Sequence, residues 1–227
     1  MAAMRSERAA RLRGLYAVTP EMADTKALAE RVAKALAGGA SLLQYRAKSA
    51  DEARAVEQAQ ALAALCRGAG ALFIVNDSIE LAQACGADGV HLGRDDADVA
   101  YARRRLPGAI VGASCYDDPA RAAAAARDGA DYVAVGSVFS SATKPGARRA
   151  PLEVIGEAAR ASGLPVAAIG GIDLANAGRA IDAGADMLAV ITALFEVRDI
   201  ERAARAFASL FSTTPSTAHA RTQPRAV

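Results

Sequence analysis

Two carboxylates, Asp77 and Asp96, each stand just past an apolar run that reads as a buried strand: Leu72-Phe73-Ile74-Val75 for the first and Gly89-Val90-His91-Leu92 for the second. Oxygen ligands with no His or Cys cluster beside them suit Mg²⁺, which keeps several waters and completes its shell with substrate phosphate. Helix capping is the plainer role for the same pair. Arg46 and Lys48, within Gln44-Tyr45-Arg46-Ala47-Lys48, end another run with two cations that suit a polyanion, or simply a solvated turn. Lys144 lies in Ser140-Ser141-Ala142-Thr143-Lys144-Pro145-Gly146. Such a loop offers hydroxyls and one ammonium and can close over a ligand; the alternative is an ordinary surface loop, to which Arg148 and Arg149 are assigned. Ala168-Ile169-Gly170-Gly171 and then Ile191-Thr192 close the last two runs. Two glycines before a helix start let backbone N–H groups approach a phosphate, aided by the positive end of the helix.

Other reactive side chains carry less. His91 lies inside an apolar run and reads first as a structural histidine. Cys115 follows Ser114 but has no neighbouring His to activate it. The chain has no GxSxG elbow, HExxH helix, P-loop or GxGxxG turn, which sets aside the covalent hydrolase, zinc protease, NTPase and dinucleotide oxidoreductase classes.

These residues need elements that bring them together. Eight apolar runs, at 15–19, 41–46, 72–76, 89–92, 110–114, 132–136, 166–169 and 187–191, alternate with alanine-rich stretches of helical spacing. Continuous apolar strands fit a parallel sheet covered by helices. Gly39-Ala40-Ser41, Gly86-Ala87-Asp88, Gly129-Ala130-Asp131 and Gly184-Ala185-Asp186 each precede a run, with a glycine placed to end a helix. The expected fold is α/β, a single-domain (β/α)₈ TIM barrel; an open doubly wound sheet is the alternative. In the barrel the C-terminal strand ends share one face, so the polar stops converge. Residues 14–211 form the catalytic domain, and 1–13 and 212–227 read as disordered tails without apolar periodicity.

With 227 residues and 52% hydrophobic content the chain can bury one substantial core, and 4% aromatics with no tryptophan imply close helix packing through alanine. The formal charge is +2, but the four arginines and Glu7 of the first thirteen residues, with Arg221 and Arg225, account for +5, leaving −3 for the body. That body lacks the basic stripe of a nucleic-acid binder. Cys66, Cys85 and Cys115 are odd in number and widely spaced, which points to reduced cytosol. No run approaches a membrane span, and no signal region follows Met1, so a cytoplasmic protein without membrane partners is expected.

In order along the chain, Gln-Tyr-Arg-x-Lys, Val-Asn-Asp, Gly-Val-His-Leu-Gly-x-x-Asp, Gly-x-Ser, the Thr-Lys loop, Ile-Gly-Gly-Ile and Val-Ile-Thr-Ala resemble the thiamine-phosphate synthase family over roughly 15–207. The resemblance implies a transferase that condenses 4-amino-2-methyl-5-hydroxymethylpyrimidine diphosphate with 4-methyl-5-(2-phosphoethyl)thiazole, or its 2-carboxy form, to give thiamine phosphate and pyrophosphate. It implies that Gln44, Tyr45, Arg46, Ala47, Lys48, Asn76, Ser114 and Lys144 bind the pyrimidine diphosphate, with Mg²⁺ held by Asp77 and Asp96. Ser141, Ala142, Thr143, Gly171, Ile191 and Thr192 would hold the thiazole phosphate, and Arg46, Lys48, Ser114 and Lys144 would be catalytic. The family loop often reads Pro-Thr-x-Thr-Lys where this chain has Ser140-Ser141-Ala142-Thr143-Lys144, which puts the loop's closed shape in question. The alternatives are the related thiazole tautomerase family, which needs no diphosphate and metal set, and a non-catalytic phosphate-binding barrel. Oligomeric state, a homo-oligomer included, is left open.

Overall fold

The computed structural model describes residues 7, 10–94, 96–140 and 149–212. Eight strands, β1 Gly14–Val18, β2 Leu42–Tyr45, β3 Leu72–Asn76, β4 Gly89–Leu92, β5 Ile110–Tyr116, β6 Tyr132–Gly136, β7 Val166–Ile169 and β8 Met187–Val190, pair in parallel and in sequence order. β8 returns to β1 through Gly14 opposite Met187 and Tyr16 opposite Ala189, so the sheet closes into a barrel and the doubly wound alternative is set aside. Helices follow the strands: α1 Thr25–Ala37, α2 Glu52–Ala69, α3 Ile79–Cys85, α4 Val99–Arg105, α5 Pro119–Arg127, α6 Glu153–Ser162 and α7 Ala177–Asp182. A short α8, Thr192–Phe195, and a closing α9, Ile200–Ser209, come after β8.

Strand alternation divides the apolar residues into two cores. Tyr16, Leu42, Ile74, Ile110, Tyr132 and Met187 are among those filling the barrel interior, with Leu12 beneath them. The opposite faces of the strands pack under the helices through residues such as Leu43, Phe73, Val133 and Leu188. Leu12 falls inside the stretch expected to be a tail, yet it is 3% exposed. Arg13, beside it, donates from Nη2 to the Phe211 carbonyl at 3.1 Å. The reason is packing: the open lower end of a barrel needs an apolar plug, which an isolated leucine among arginines does not advertise. The remainder of both expected tails, at 1–6, 8, 9 and 213–227, lies outside the described residues.

The recurrent Gly-Ala-Asp turns have a physical purpose at that lower end. Gly86, Gly129 and Gly184 all take positive φ, as the helix-ending role requires. The following aspartates then grip the preceding strand from both sides. Asp88, Asp131 and Asp186 each donate their backbone N–H to the carbonyls of Phe73, Val111 and Val166 at 2.9, 2.7 and 2.9 Å. Their carboxylates accept the N–H groups of the same three residues, each at 2.9 Å. The period of two βα units seen in the sequence is therefore the spacing at which an even-numbered strand is latched to its odd-numbered neighbour. No helix among the described residues is long and apolar enough to cross a membrane.

Candidate active site

At the upper rim, β2 runs into a turn held from below by β1. Thr19, almost fully buried, accepts the Arg46 N–H at 2.9 Å and donates its hydroxyl to the Arg46 carbonyl at 3.2 Å. Glu21 accepts the Lys48 N–H and the Ser49 hydroxyl, both at 2.8 Å, and lies 3.4 Å from Arg46 Nη1. Partial burial pushes the Glu21 carboxyl up, but these hydrogen bonds and the Arg46 charge hold it below its ordinary value. Thr19 and Glu21 escaped the sequence reading because the first strand's stop carries no cation or glycine. The available signal was Thr-x-Glu at a strand end.

Within this segment the side chains part company. Gln44 points into the barrel and donates to the Tyr16 hydroxyl at 2.9 Å. Tyr45 points the other way: its hydroxyl donates to Gln58 of α2 at 2.8 Å, and burial pushes its pKa up to about 12. Strand periodicity explains the split. Ala47 packs against the outer core. A cavity of 450 Å³ opens on this outer side, where Tyr45, Lys48, Asn76 and Asp77 meet Val56 of α2 and Leu81 of α3.

Asp77 and Asp96 do come together. Neither caps a helix: Ser78 caps α3 and Asp98 caps α4, through Leu81 N and Tyr101 N respectively. Asp77 instead adopts φ of 66°, sparsely populated for a side-chain-bearing residue, and its N–H is tied to the His91 carbonyl at 2.8 Å. Asp96 reaches back to accept the Gly93 N–H at 2.6 Å. Burial raises the Asp77 carboxyl to about 6, with its hydrogen bond to Asp96 and the charge of Asp96 adding to the rise, while Lys48 and Arg46 oppose it. Lys48 Nζ stands 3.7 Å from Asp77 Oδ2. Two facing carboxylates, one reluctant to ionise, are a donor set that a hard divalent cation would relieve. No group of three His, Cys, Asp or Glu able to hold a metal occurs among the described residues.

β4 and β5 carry the next pair. Asn76 stands in register with His91, and His91 Nε2 is 2.9 Å from the Ser114 hydroxyl. Burial drives His91 down to about 4, so it is neutral at physiological pH. Past Ser114, β5 bulges and Tyr116 takes φ of 58°, with Arg94 4.8 Å from its ring centroid. Cys115 faces away from the rim, and burial raises its thiol to about 12, which makes it a poor nucleophile.

Across the mouth, β6 and β7 lead into interlocked loops. Val138 and Phe139 donate their N–H groups to the carbonyls of Ile169 and Gly170, both at 3.0 Å, and Asn176 Nδ2 holds the Gly171 carbonyl at 2.9 Å. Gly170 and Gly171 have φ of 103° and 63°, and a Cβ on either would fall 2.1 Å from Ser137 Oγ or the Ser140 carbonyl. The neighbouring loop thus demands glycine here, besides any ligand. Ile191 and Thr192 lie at the end of β8, where α8 begins. Ser141, Ala142, Thr143 and Lys144 lie outside the described residues.

Residues 15–194 match the family model described as thiamine monophosphate synthase. The chain is 57% identical to the thiamine-phosphate synthase of Chromobacterium violaceum over 202 residues, which cover 88% of this chain and 97% of that one. With the corresponding protein of Aromatoleum aromaticum it is 54% identical, with the same coverage. Among solved structures, the thiamine phosphate pyrophosphorylase of Pyrococcus furiosus superposes with a TM-score of 0.79 at 33% identity, covering 94% of this chain and 98% of that one.

Proposed function

The chain belongs to the thiamine monophosphate synthase family, and from that membership we propose how its rim divides the work of the reaction. The protein is a transferase of thiamine biosynthesis that joins the pyrimidine diphosphate to the thiazole phosphate and releases pyrophosphate. The observation that carries the residue assignment is the meeting of Asp77, Asp96 and Lys48 at one side of the mouth, opposite the paired glycines of β7.

In this reading Asp77 and Asp96 hold Mg²⁺, which when bound neutralises phosphate charge and stabilises the departing diphosphate. Arg46, Lys48 and Lys144 set cations against the same diphosphate, and Thr19 and Glu21 keep the first two aimed by clamping their backbone. Gln44, Asn76 and Ser114 orient the pyrimidine diphosphate, with Tyr45 and Ala47 contributing through the backbone that spaces them. Gly171, Ile191, Thr192 and the 141–143 segment bind the thiazole phosphate.

The C–O bond to the diphosphate breaks first and its electron pair leaves with the pyrophosphate. The aminopyrimidine spreads the resulting positive charge over its ring. The thiazole nitrogen then gives its lone pair to the methylene carbon, forming the C–N bond. No protein nucleophile takes part, which agrees with the inert Cys115. Holding the nitrogen beside the carbon supplies much of the rate, and keeping water out of the mouth would prevent it from capturing the cation. The reaction's small substrates and three buried cysteines outside any disulfide suit a cytoplasmic enzyme.

The test incubates purified protein with both substrates, in Mg²⁺ or in EDTA, and follows thiamine phosphate by mass spectrometry. Product in Mg²⁺ and none in EDTA supports the assignment. Equal product in EDTA removes the metal from it.

A further inference from the structure

A line of hydrogen bonds crosses the barrel interior from β2 to β5. Gln44 Nε2 meets the Tyr16 hydroxyl at 2.9 Å, which meets the Tyr132 hydroxyl at 2.7 Å. Tyr132 meets His91 Nδ1 at 2.9 Å, and His91 Nε2 meets Ser114 Oγ at 2.9 Å. Aromatic contacts hold the line rigid: the Tyr16 and Tyr132 rings pack edge to face with centroids 6.0 Å apart, and His91 stacks on Tyr132 at 5.5 Å. Gly112 makes the crossing sterically feasible, because a Cβ there would lie 2.1 Å from Cζ of Tyr132. Five strands therefore contribute to a structure that ends, at both extremities, on residues assigned above to the substrate.

Each hydroxyl in this line has one proton, so the direction of one link fixes the next. Gln44 gives an amide N–H to Tyr16. Tyr16, buried in apolar surroundings, must then spend its own proton on Tyr132, since an unspent buried donor is costly. Tyr132 accepts from Tyr16 and gives its proton to Nδ1. An imidazole that accepts at Nδ1 carries its proton on Nε2 and donates it to Ser114 Oγ. No buried side-chain nitrogen or oxygen along the line lacks a partner in this arrangement.

We propose that His91 and Tyr132 are positioning residues that hold the Ser114 hydroxyl as a hydrogen-bond donor toward the rim, with the polarity set from Gln44 on the far wall. The functional part rests on the reading above, in which Ser114 touches substrate. With its oxygen engaged by His91, Ser114 turns its proton toward whatever occupies the mouth. A donor suits the diphosphate oxygens, which gain negative charge as the C–O bond breaks, whereas the reversed line would face them with lone pairs. The same donor placed on the pyrimidine ring would oppose the positive charge developing there, so the polarity favours the diphosphate as its partner.

Nitrogen NMR on the native full-length protein labelled with ¹⁵N-histidine reads the polarity directly. The chain has two histidines, His91 and His219, and His219→Gln assigns the signals. A proton on Nε2 and none on Nδ1 of His91 is expected; a proton on Nδ1 overturns the proposal. Steady-state kinetics then test positioning. Tyr132→Phe should lower kcat by roughly 3- to 10-fold, with little change in the KM of either substrate. In a Ser114→Ala background the same substitution should change kcat by less than about twofold. Equal losses in both backgrounds would assign the effect to packing and overturn positioning. If Ser114→Ala alone leaves kcat unchanged, the contact of Ser114 with substrate fails and the functional consequence fails with it, while the nitrogen signals still decide the polarity.

Discussion

At Asp77 a single residue carries three constraints: a left-handed backbone, a backbone tie to β4 and a carboxylate pressed against another. The tie to β4 serves the fold, whereas the left-handed backbone and the crowded carboxylates cost it, which is how strain held at a functional site looks. Asp77→Asn keeps the size and removes one charge of the pair. We expect the concentration of Mg²⁺ needed for half-maximal turnover to rise by at least about tenfold, with the thermal midpoint unchanged or slightly higher. A Mg²⁺ titration of turnover decides it, and an unaltered midpoint concentration would take Asp77 out of the metal site. The sequence puts this carboxylate just past the end of β3 but leaves it poised between ligand and cap. The cap was eliminated only when Ser78 was seen to occupy that role, one residue later.

Between elements, two devices hold the barrel in register. The lower one is the aspartate latch. Asp186→Ala leaves the Val166 N–H buried without its acceptor and should cost about 1–3 kcal/mol in urea unfolding. Asp131→Ala likewise strips the Val111 N–H of its acceptor and breaks the pair with Arg103, and should cost at least about 1–3 kcal/mol. Negligible losses at both positions would show that the backbone ladder alone sets the register. The upper device is the interlock of the β6 and β7 loops. Gly171→Ala places a methyl against the Ser140 carbonyl and forces alanine into the left-handed region, which together should cost at least about 2 kcal/mol. The same variant should raise the KM for the thiazole phosphate more than that for the pyrimidine diphosphate. Native stability together with native KM values would contradict both roles of the glycine.

For the whole molecule, the buried interior line makes stability depend on acid. His91 titrates near 4 when folded against an ordinary 6.5, so between those values the unfolded chain binds a proton that the folded one does not. Stability should therefore fall as pH drops through that window, by up to about 1.4 kcal/mol per unit from this group. Asp77, raised from 3.8 to about 6, works in the opposite sense, with stability rising as pH falls through its own window. Urea unfolding in EDTA at several pH values, for the native protein and His91→Gln, separates the two: the difference between them should shrink as pH falls from 6.5 to 4. A pH-independent difference would mean that His91 does not titrate there. Much of this molecule was legible beforehand. Continuous apolar runs and glycine-ended helices follow from local burial and sterics, so eight strands, their order along the chain and the strand ends at which Arg46, Lys48, Asp77, Asp96 and Ser114 stand could be read from the chain alone. Barrel closure, the outward turn of Tyr45, the clamp from Thr19 and Glu21 and the line from Gln44 through His91 to Ser114 were decided only by the tertiary structure. These depend on which side chains meet across strands far apart in the chain, and hydrogen-bond direction is a property of the completed network and of no single residue within it.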